Sequence, residues 1–130
     1  MSGLLDRVEL ALPFKPEYVS VARLTASGIA SRVGFDIDTI EDIKVSVAEV
    51  CNRIVRAGEG LNSSYRIVFS IHERKIVISF LCEGNVFDCI FGSEDDELGI
   101  SIINAFMDEV EFRPDSSSVL SMSKAVEGKM

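Results

Sequence analysis

Basic residues are scarce in this sequence. Its 130 residues include 13 Lys and Arg against 21 Asp and Glu, which gives a net charge of −8 and a pI near 4.6. Nucleic-acid binding depends on clustered Lys and Arg. The composition therefore argues against a nucleic-acid partner and favours protein partners.

Long apolar runs are also missing. None reaches the roughly 20 residues of a membrane span. The first residues lack the basic segment and apolar core of a secretory signal. We therefore expect a cytoplasmic protein with no membrane partner.

Histidine and cysteine are few. The chain has one histidine, His72, and three cysteines, Cys51, Cys82 and Cys89, without Cys-x-x-Cys spacing. An odd number of cysteines without metal-ligand spacing favours reduced, buried thiols over a zinc site or disulfides. No metal site is expected from these residues.

The remaining composition, 47% apolar and 26% charged, is that of one globular domain over residues 1–130. Hydrophobic periodicity and turn residues predict the order β-α-α-β-β-α-β-β. The predicted elements are a strand at 8–14, a helix at 16–33 ended by Gly34, a helix opened at 38 and closed by Gly58 and Gly60, strands at 65–71 and 76–81, a helix at 98–107, and strands at 110–113 and 119–124. This order predicts an α+β, two-layer sandwich with a mostly antiparallel sheet and helices on one face.

The second predicted helix carries the most informative pattern. Asp38 and Glu41 form a capping-box-like start. A buried stripe is predicted at Ile40, Ile43, Val47, Val50, Cys51 and Ile54. The opposite side of the helix is predicted to carry Glu49, Asn52, Arg53 and Arg56.

The sequence of this helix, IEDIKVSVAEVCNRIV at residues 40–55, resembles that of the anti-sigma-factor serine kinases, the bacterial partner-switching branch of the Bergerat-fold (GHKL) ATPases. Their helix typically reads I-E-D-[IL]-K-x-[AV]-V-[SA]-E-A-C-T-N-A-[VI]. Residues 16–34 are similar to the family's first helix, and residues 107–112 to the segment after its second glycine box. The resemblance covers nearly the whole chain and implies a Bergerat-type fold.

At the catalytic helix, the resemblance gives Glu49 the place of the family's base. Arg53 stands where the family has the Asn that coordinates magnesium. An arginine has five donors and no acceptor, so metal binding is expected to fail there. Asn52, displaced about 100° around the helix, is the possible substitute. The plain alternative is a surface ion pair between Glu49 and Arg53 in the favourable i, i+4 order.

The family's adenine-binding box, D-x-G-x-[GS]-F-D, aligns with residues 82–88, CEGNVFD. Gly84 and Asp88 fit this pattern. Cys82 replaces the carboxylate that accepts the adenine amino group, and a thiol is a poor acceptor, so adenine selectivity is expected to be lost. Gly84 is equally explained as an ordinary turn glycine.

The second glycine box, usually G-[LM]-G-[LF], aligns with residues 97–100, ELGI, so Leu98 and Gly99 match it. Glu97 puts a carboxylate where phosphate charge would arrive, although an acid at a helix start also favours the helix dipole. The nine residues at 89–97 are few for the family's ATP lid.

These changes fall on one site and predict a pseudo-kinase, with no cofactor expected; ATP and Mg²⁺ would be needed only by a site that still functions. The resemblance implies partner switching, in which a homodimer binds a sigma factor or an anti-sigma antagonist. Arg23 matches the family's partner-contacting arginine, or is a solvated helix residue. The alternatives are an active serine kinase with Glu49 as base and Asn52 or water replacing the metal ligand, and a structural dimerisation module.

Overall fold

The computed structural model describes residues 3–60, 63–82, 96–112 and 118–127. The elements follow the predicted order, with a short 3-10 turn added at Pro16–Tyr18. They are β1 (Leu4–Pro13), α1 (Val19–Val33), α2 (Ile37–Ala57), β2 (Ser64–His72), β3 (Lys75–Leu81), α3 (Asp96–Phe106), β4 (Glu109–Phe112) and β5 (Ser118–Ala125).

The strands form one five-stranded sheet in the order β1-β2-β3-β5-β4, and each of these pairings is antiparallel. Side chains alternate between its two faces. In β3, Ile76, Ile78 and Phe80 are fully buried. Ser79, between them in sequence, instead meets Ser121 of β5, with 3.2 Å between the hydroxyl oxygens. The predicted α+β fold with an antiparallel sheet is confirmed.

The first helix packs closely against its neighbours because its buried side is made of small residues. Ala22, Ala26 and Ala30 lie one turn apart and are fully buried. Gly34 ends α1 with a φ of 109°, a left-handed conformation that glycine adopts readily. The predicted end of this helix is confirmed, whereas its first turn, at Pro16–Tyr18, is 3-10 rather than α.

The cap of the second helix lies two residues before the predicted one. Asp36, in an extended conformation, accepts a hydrogen bond from the Thr39 backbone N–H at 2.8 Å. Hydrogen bonds from the Thr39 side chain and from its backbone N–H hold the pKa of Asp36 below its ordinary value. The prediction of Asp38 as the cap was therefore wrong, because Asp38 already lies inside the first turn. In the predicted apolar stripe, Ile40 is half-buried. The other five residues are fully buried: Ile43, Val47, Val50, Cys51 and Ile54.

Two other boundaries differ from the sequence prediction. The first strand begins at Leu4, where it pairs with His72, four residues before the predicted start. Leu4 and Leu5 are 49% and 61% exposed, so this end carries no alternation between buried and exposed residues that a pattern could detect. The third helix begins at Asp96 and ends at Phe106, instead of spanning 98–107. Most of the predicted turn at 114–118 lies outside the described residues.

Within the described part of the chain, no helix combines the length and apolar character needed to cross a membrane.

Candidate functional site

Glu49 and Arg53 lie one turn apart on α2, and their side chains are joined. The Arg53 Nη2 donates to Glu49 Oε1 at 3.2 Å. The side chain of Arg53 is only 8% exposed, and that of Glu49 is 29% exposed. The predicted pair is therefore present, but the expectation of a surface pair, with Arg53 on the open side of α2, was wrong. The side of α2 that carries Arg53 is covered by α3.

Gly99, in the first turn of α3, is the residue that meets the Arg53 side chain. A Cβ atom added at Gly99 would lie 2.6 Å from both Cζ and Nε of Arg53 and would overlap Nη2. Carbon and nitrogen atoms that are not bonded do not approach this closely. The guanidinium thus occupies the space that any side chain at position 99 would need.

The chemistry of this donor set does not fit a magnesium ion at position 53. Magnesium takes oxygen ligands in near-octahedral geometry, and a guanidinium offers only N–H donors and a positive charge. Among the described residues, no group of three or more His, Cys, Asp and Glu side chains is arranged to hold a metal ion. We therefore derive no chemical step through a metal at this position.

A cavity of about 420 Å³ opens beside the Glu49–Arg53 pair. Its lining combines three apolar residues with five polar or charged ones: Phe14, Pro16 and Val55, then Glu49, Asn52, Arg53, Arg56 and Glu59. Asn52, the predicted substitute ligand, is exposed and shares this cavity with Glu49. The structure thus brings Glu49, Asn52 and Arg53 together, as their spacing on α2 predicts.

Sequence reasoning missed part of this lining. Arg56 was predicted on this side of α2, but Glu59 was not, because it lies beyond the end of the helix at Ala57. Phe14 and Pro16 come from the end of β1 and the turn after it. Only the tertiary fold brings those two residues to α2, and no local pattern indicates it.

The thiol of Cys82 lies in the core rather than in the cavity. It is 2% exposed, and burial raises its pKa to about 12. Burial likewise raises the pKa of Cys51 to about 12. The hydroxyl of Tyr65 faces the Cys51 thiol and has no nitrogen or oxygen partner among the described residues. The prediction of buried, unpaired thiols is confirmed for Cys51 and Cys82.

The other predicted site residues are divided between the surface, the interior and the part of the chain that is not described. Leu98 is 72% exposed, whereas Gly99 is buried, so only Gly99 of that pair faces α2. Arg23 is exposed on α1 and makes no ion pair with the described residues. Gly84, Asp88, Cys89 and the side chain of Glu97 lie outside the description.

Comparison with known proteins gives the family. The sequence model of one protein family, the histidine kinase-like ATPase domain, matches residues 12–124. The chain belongs to this family.

Curated relatives of this chain carry the name serine-protein kinase RsbW. That of Halalkalibacterium halodurans is 37% identical, over 92% of this chain and 83% of the relative. That of Bacillus pumilus is 32% identical, over 95% of this chain and 88% of the relative. That of Bacillus subtilis is also 32% identical, over 99% of this chain and 91% of the relative. The resemblance drawn from the α2 sequence is confirmed.

Membership of the histidine kinase-like ATPase family does not by itself decide what happens at Arg53. A fold persists when the residues of its site change, so function has to be argued from the site. In this chain the site consists of an arginine packed on a glycine, a half-exposed glutamate and a cavity beside them.

Proposed function

We propose that this chain is an anti-sigma-factor-like regulatory protein that binds a sigma factor or its antagonist in a partner-switching system, without ATP binding or kinase activity. Family membership and the resemblance of the α2 sequence to the anti-sigma-factor serine kinases support the regulatory half of this proposal. The observation that supports the loss of ATP binding and kinase activity is the packing of Arg53 against Gly99.

Charge strengthens the case against a metal. At an effective dielectric constant of about 20, two unit charges of the same sign about 4 Å apart repel by about 4 kcal/mol, so a divalent cation at that distance from a guanidinium is repelled by about 8 kcal/mol. Glu49 is already paired with Arg53. A magnesium ion would therefore have to displace the arginine before it gained that carboxylate.

Partner binding does not depend on this chemistry. Arg23 is an exposed cation on α1, and an exposed arginine can form an ion pair across an interface that it lacks in the free protein. We assign it the contact with the sigma factor or antagonist, in the cytoplasm.

A homodimer is part of the same proposal. β1 is an edge strand of the sheet and carries three exposed apolar residues, Leu4, Leu5 and Val8. A long edge strand with exposed apolar side chains offers unpaired backbone groups to a second chain. A second copy of this chain is the partner we assign to that edge.

One observation favours the alternative of an active serine kinase. Glu49 is 29% exposed and lines the same cavity as Asn52, so a base and an amide oxygen lie side by side. In that alternative, Arg53 would have to move away and Asn52 or water would hold the metal.

Calorimetric titration of the purified chain with Mg-ATP, followed by a phosphorylation assay on the cognate antagonist, separates the two functions. We expect neither heat of binding nor phosphate transfer, together with capture of a sigma factor or antagonist in the absence of nucleotide. Micromolar, magnesium-dependent binding would contradict the loss of ATP binding, and phosphate transfer to the antagonist would establish the kinase alternative. Failure to capture either protein would remove the regulatory proposal.

A further inference from the structure

Arg53 of α2 and Gly99 of α3 are in contact. We propose that Gly99 forms an internal binding site for a guanidinium group, which Arg53 fills, and that this contact fixes α3 on α2 with no bound nucleotide. The existence of the site stands on geometry alone. Its consequence, that the partner-binding fold needs no nucleotide, rests on the proposed function.

The first support is steric. Atoms of the Arg53 guanidinium lie where a Cβ of residue 99 would be, so any residue other than glycine requires the guanidinium to move out of this place. The side chain is 8% exposed and is paired with Glu49, as expected of an arginine, which is rarely buried without partners. A long flexible side chain with no fixed place would extend to water instead. The packing therefore describes a defined site for the planar group.

The second support is electrostatic. The first turn of a helix carries partial positive charge, which disfavours a cation beside it. Gly99 lies in the first turn of α3, so the Arg53 guanidinium is placed against its electrostatic preference. Glu49, which accepts from Nη2 at 3.2 Å, supplies the compensating negative charge. Glu49, Arg53 and Gly99 thus act as one unit that spans two helices.

A plain helix glycine makes the opposite prediction. Alanine is a better helix former than glycine, so Gly99→Ala should raise the melting temperature if position 99 has no ligand. If the guanidinium occupies this place, an alanine methyl group expels it and separates the Glu49–Arg53–Gly99 unit. The sign of the change in melting temperature therefore distinguishes the two accounts.

The experiment is a double-mutant cycle of Gly99→Ala and Arg53→Ala, followed by thermal unfolding. We expect Gly99→Ala to lower the melting temperature when Arg53 is present and to raise it in the Arg53→Ala background. Gly28→Ala is the matched control, because an added Cβ there meets no atom within 4 Å and Gly28 is an exposed residue inside α1. It should raise the melting temperature equally in both backgrounds.

Arg53→Lys tests whether the site requires the guanidinium shape or only a positive charge. Lysine keeps the charge but not the planar fork, so we expect a melting temperature close to that of Arg53→Ala. In parallel, the Arg53 Nε–H resonance of the unmodified protein should exchange slowly with solvent. In Gly99→Ala it should exchange quickly.

Three outcomes would overturn the site: an equal effect of Gly99→Ala in both backgrounds, full stability of Arg53→Lys, or a double variant no more stable than Gly99→Ala when that single variant fails to fold. None of these measurements uses a nucleotide or a partner. A rise in melting temperature of the unmodified protein on adding Mg-ATP would instead contradict the proposed function and leave the steric site in place.

Discussion

The guanidinium of Arg53 lies against the backbone of Gly99, which joins the middle of α2 to the first turn of α3. Each residue taken alone has a simple explanation. An arginine four residues after a glutamate indicates a helix-surface ion pair, and a glycine near a helix start indicates a turn or a close backbone approach. Their contact ties the two together and places a fixed positive charge between the helices.

Arg53→Asn alone should not create a nucleotide site. The substitution restores an oxygen ligand but removes the side chain that fills the space at Gly99, and Cys82 remains a buried thiol. We expect a lower melting temperature and no calorimetric signal with Mg-ATP. The triple variant Arg53→Asn, Cys82→Asp, Glu97→Gly is the comparison. Full ATP binding by the single variant would show that Arg53 alone blocks the site.

Gly58→Ala should destabilise the protein through Phe14. An added Cβ would lie 2.5 Å from Phe14 Cγ. The ring is 6% exposed and stacks on Tyr65 with 5.5 Å between ring centroids, so it has little room to move. Overpacking of this kind costs about 1–3 kcal/mol. Urea denaturation measures the change in unfolding free energy, and Gly28→Ala, with free space around it, is the control.

The sequence predicted those features that depend on local patterns. Alternation and helical period placed the strands and helices in the right order, and the apolar stripe of α2 identified the side that faces the core. For the cap of α2, the spacing to Glu41 predicted Asp38. The backbone bond to Thr39, however, is made by Asp36.

The burial of Arg53 could not be read from local pattern, because its periodicity puts it opposite the core stripe. Within the described residues, Arg53 on that side is covered by α3, which follows two strands later in the chain. From sequence alone, a charged residue is predicted to be exposed, because the element that packs over it is not known. The same holds for Phe14 and Pro16, which only the tertiary fold brings to the cavity beside Glu49.

Stability should fall at alkaline pH, partly because of Cys51. Burial raises the pKa of this thiol from 9.0 to about 12 in the folded protein. The folded state thus favours the protonated form, so the stabilising contribution is complete below about pH 9 and is lost as the pH rises toward 12. Each pH unit in that window lowers the free energy of unfolding by about 1.4 kcal/mol for each thiol of this kind.

Urea denaturation at about pH 8 and about pH 10 tests this dependence. Cys51→Ala is the matched variant, because it removes the titrating group while the other alkaline titrations remain. The unfolding free energy of the variant should decline less between the two pH values than that of the unmodified protein. Equal declines would mean that Cys51 is readily ionised in the folded state.

Arg23→Glu should weaken capture of the sigma factor or antagonist without changing the fold. Arg23 is exposed on α1 and makes no ion pair with the described residues, so its replacement should alter the unfolding free energy by less than about 0.5 kcal/mol. Reversal of a charge paired across an interface costs about 2–5 kcal/mol of affinity when that pair is buried, and less at the rim.

Arg32→Glu supplies the matched control for Arg23→Glu, because it makes the same charge change on an exposed residue of the same helix. Surface plasmon resonance with the captured partner should show a loss of affinity for Arg23→Glu and little change for Arg32→Glu, with circular dichroism spectra unchanged in both. An equal loss for the two variants would indicate a general effect of charge on an acidic chain, since the net charge of −8 falls equally in both. Unchanged affinity for Arg23→Glu would place the partner contact elsewhere, leaving Arg23 as a solvated helix residue.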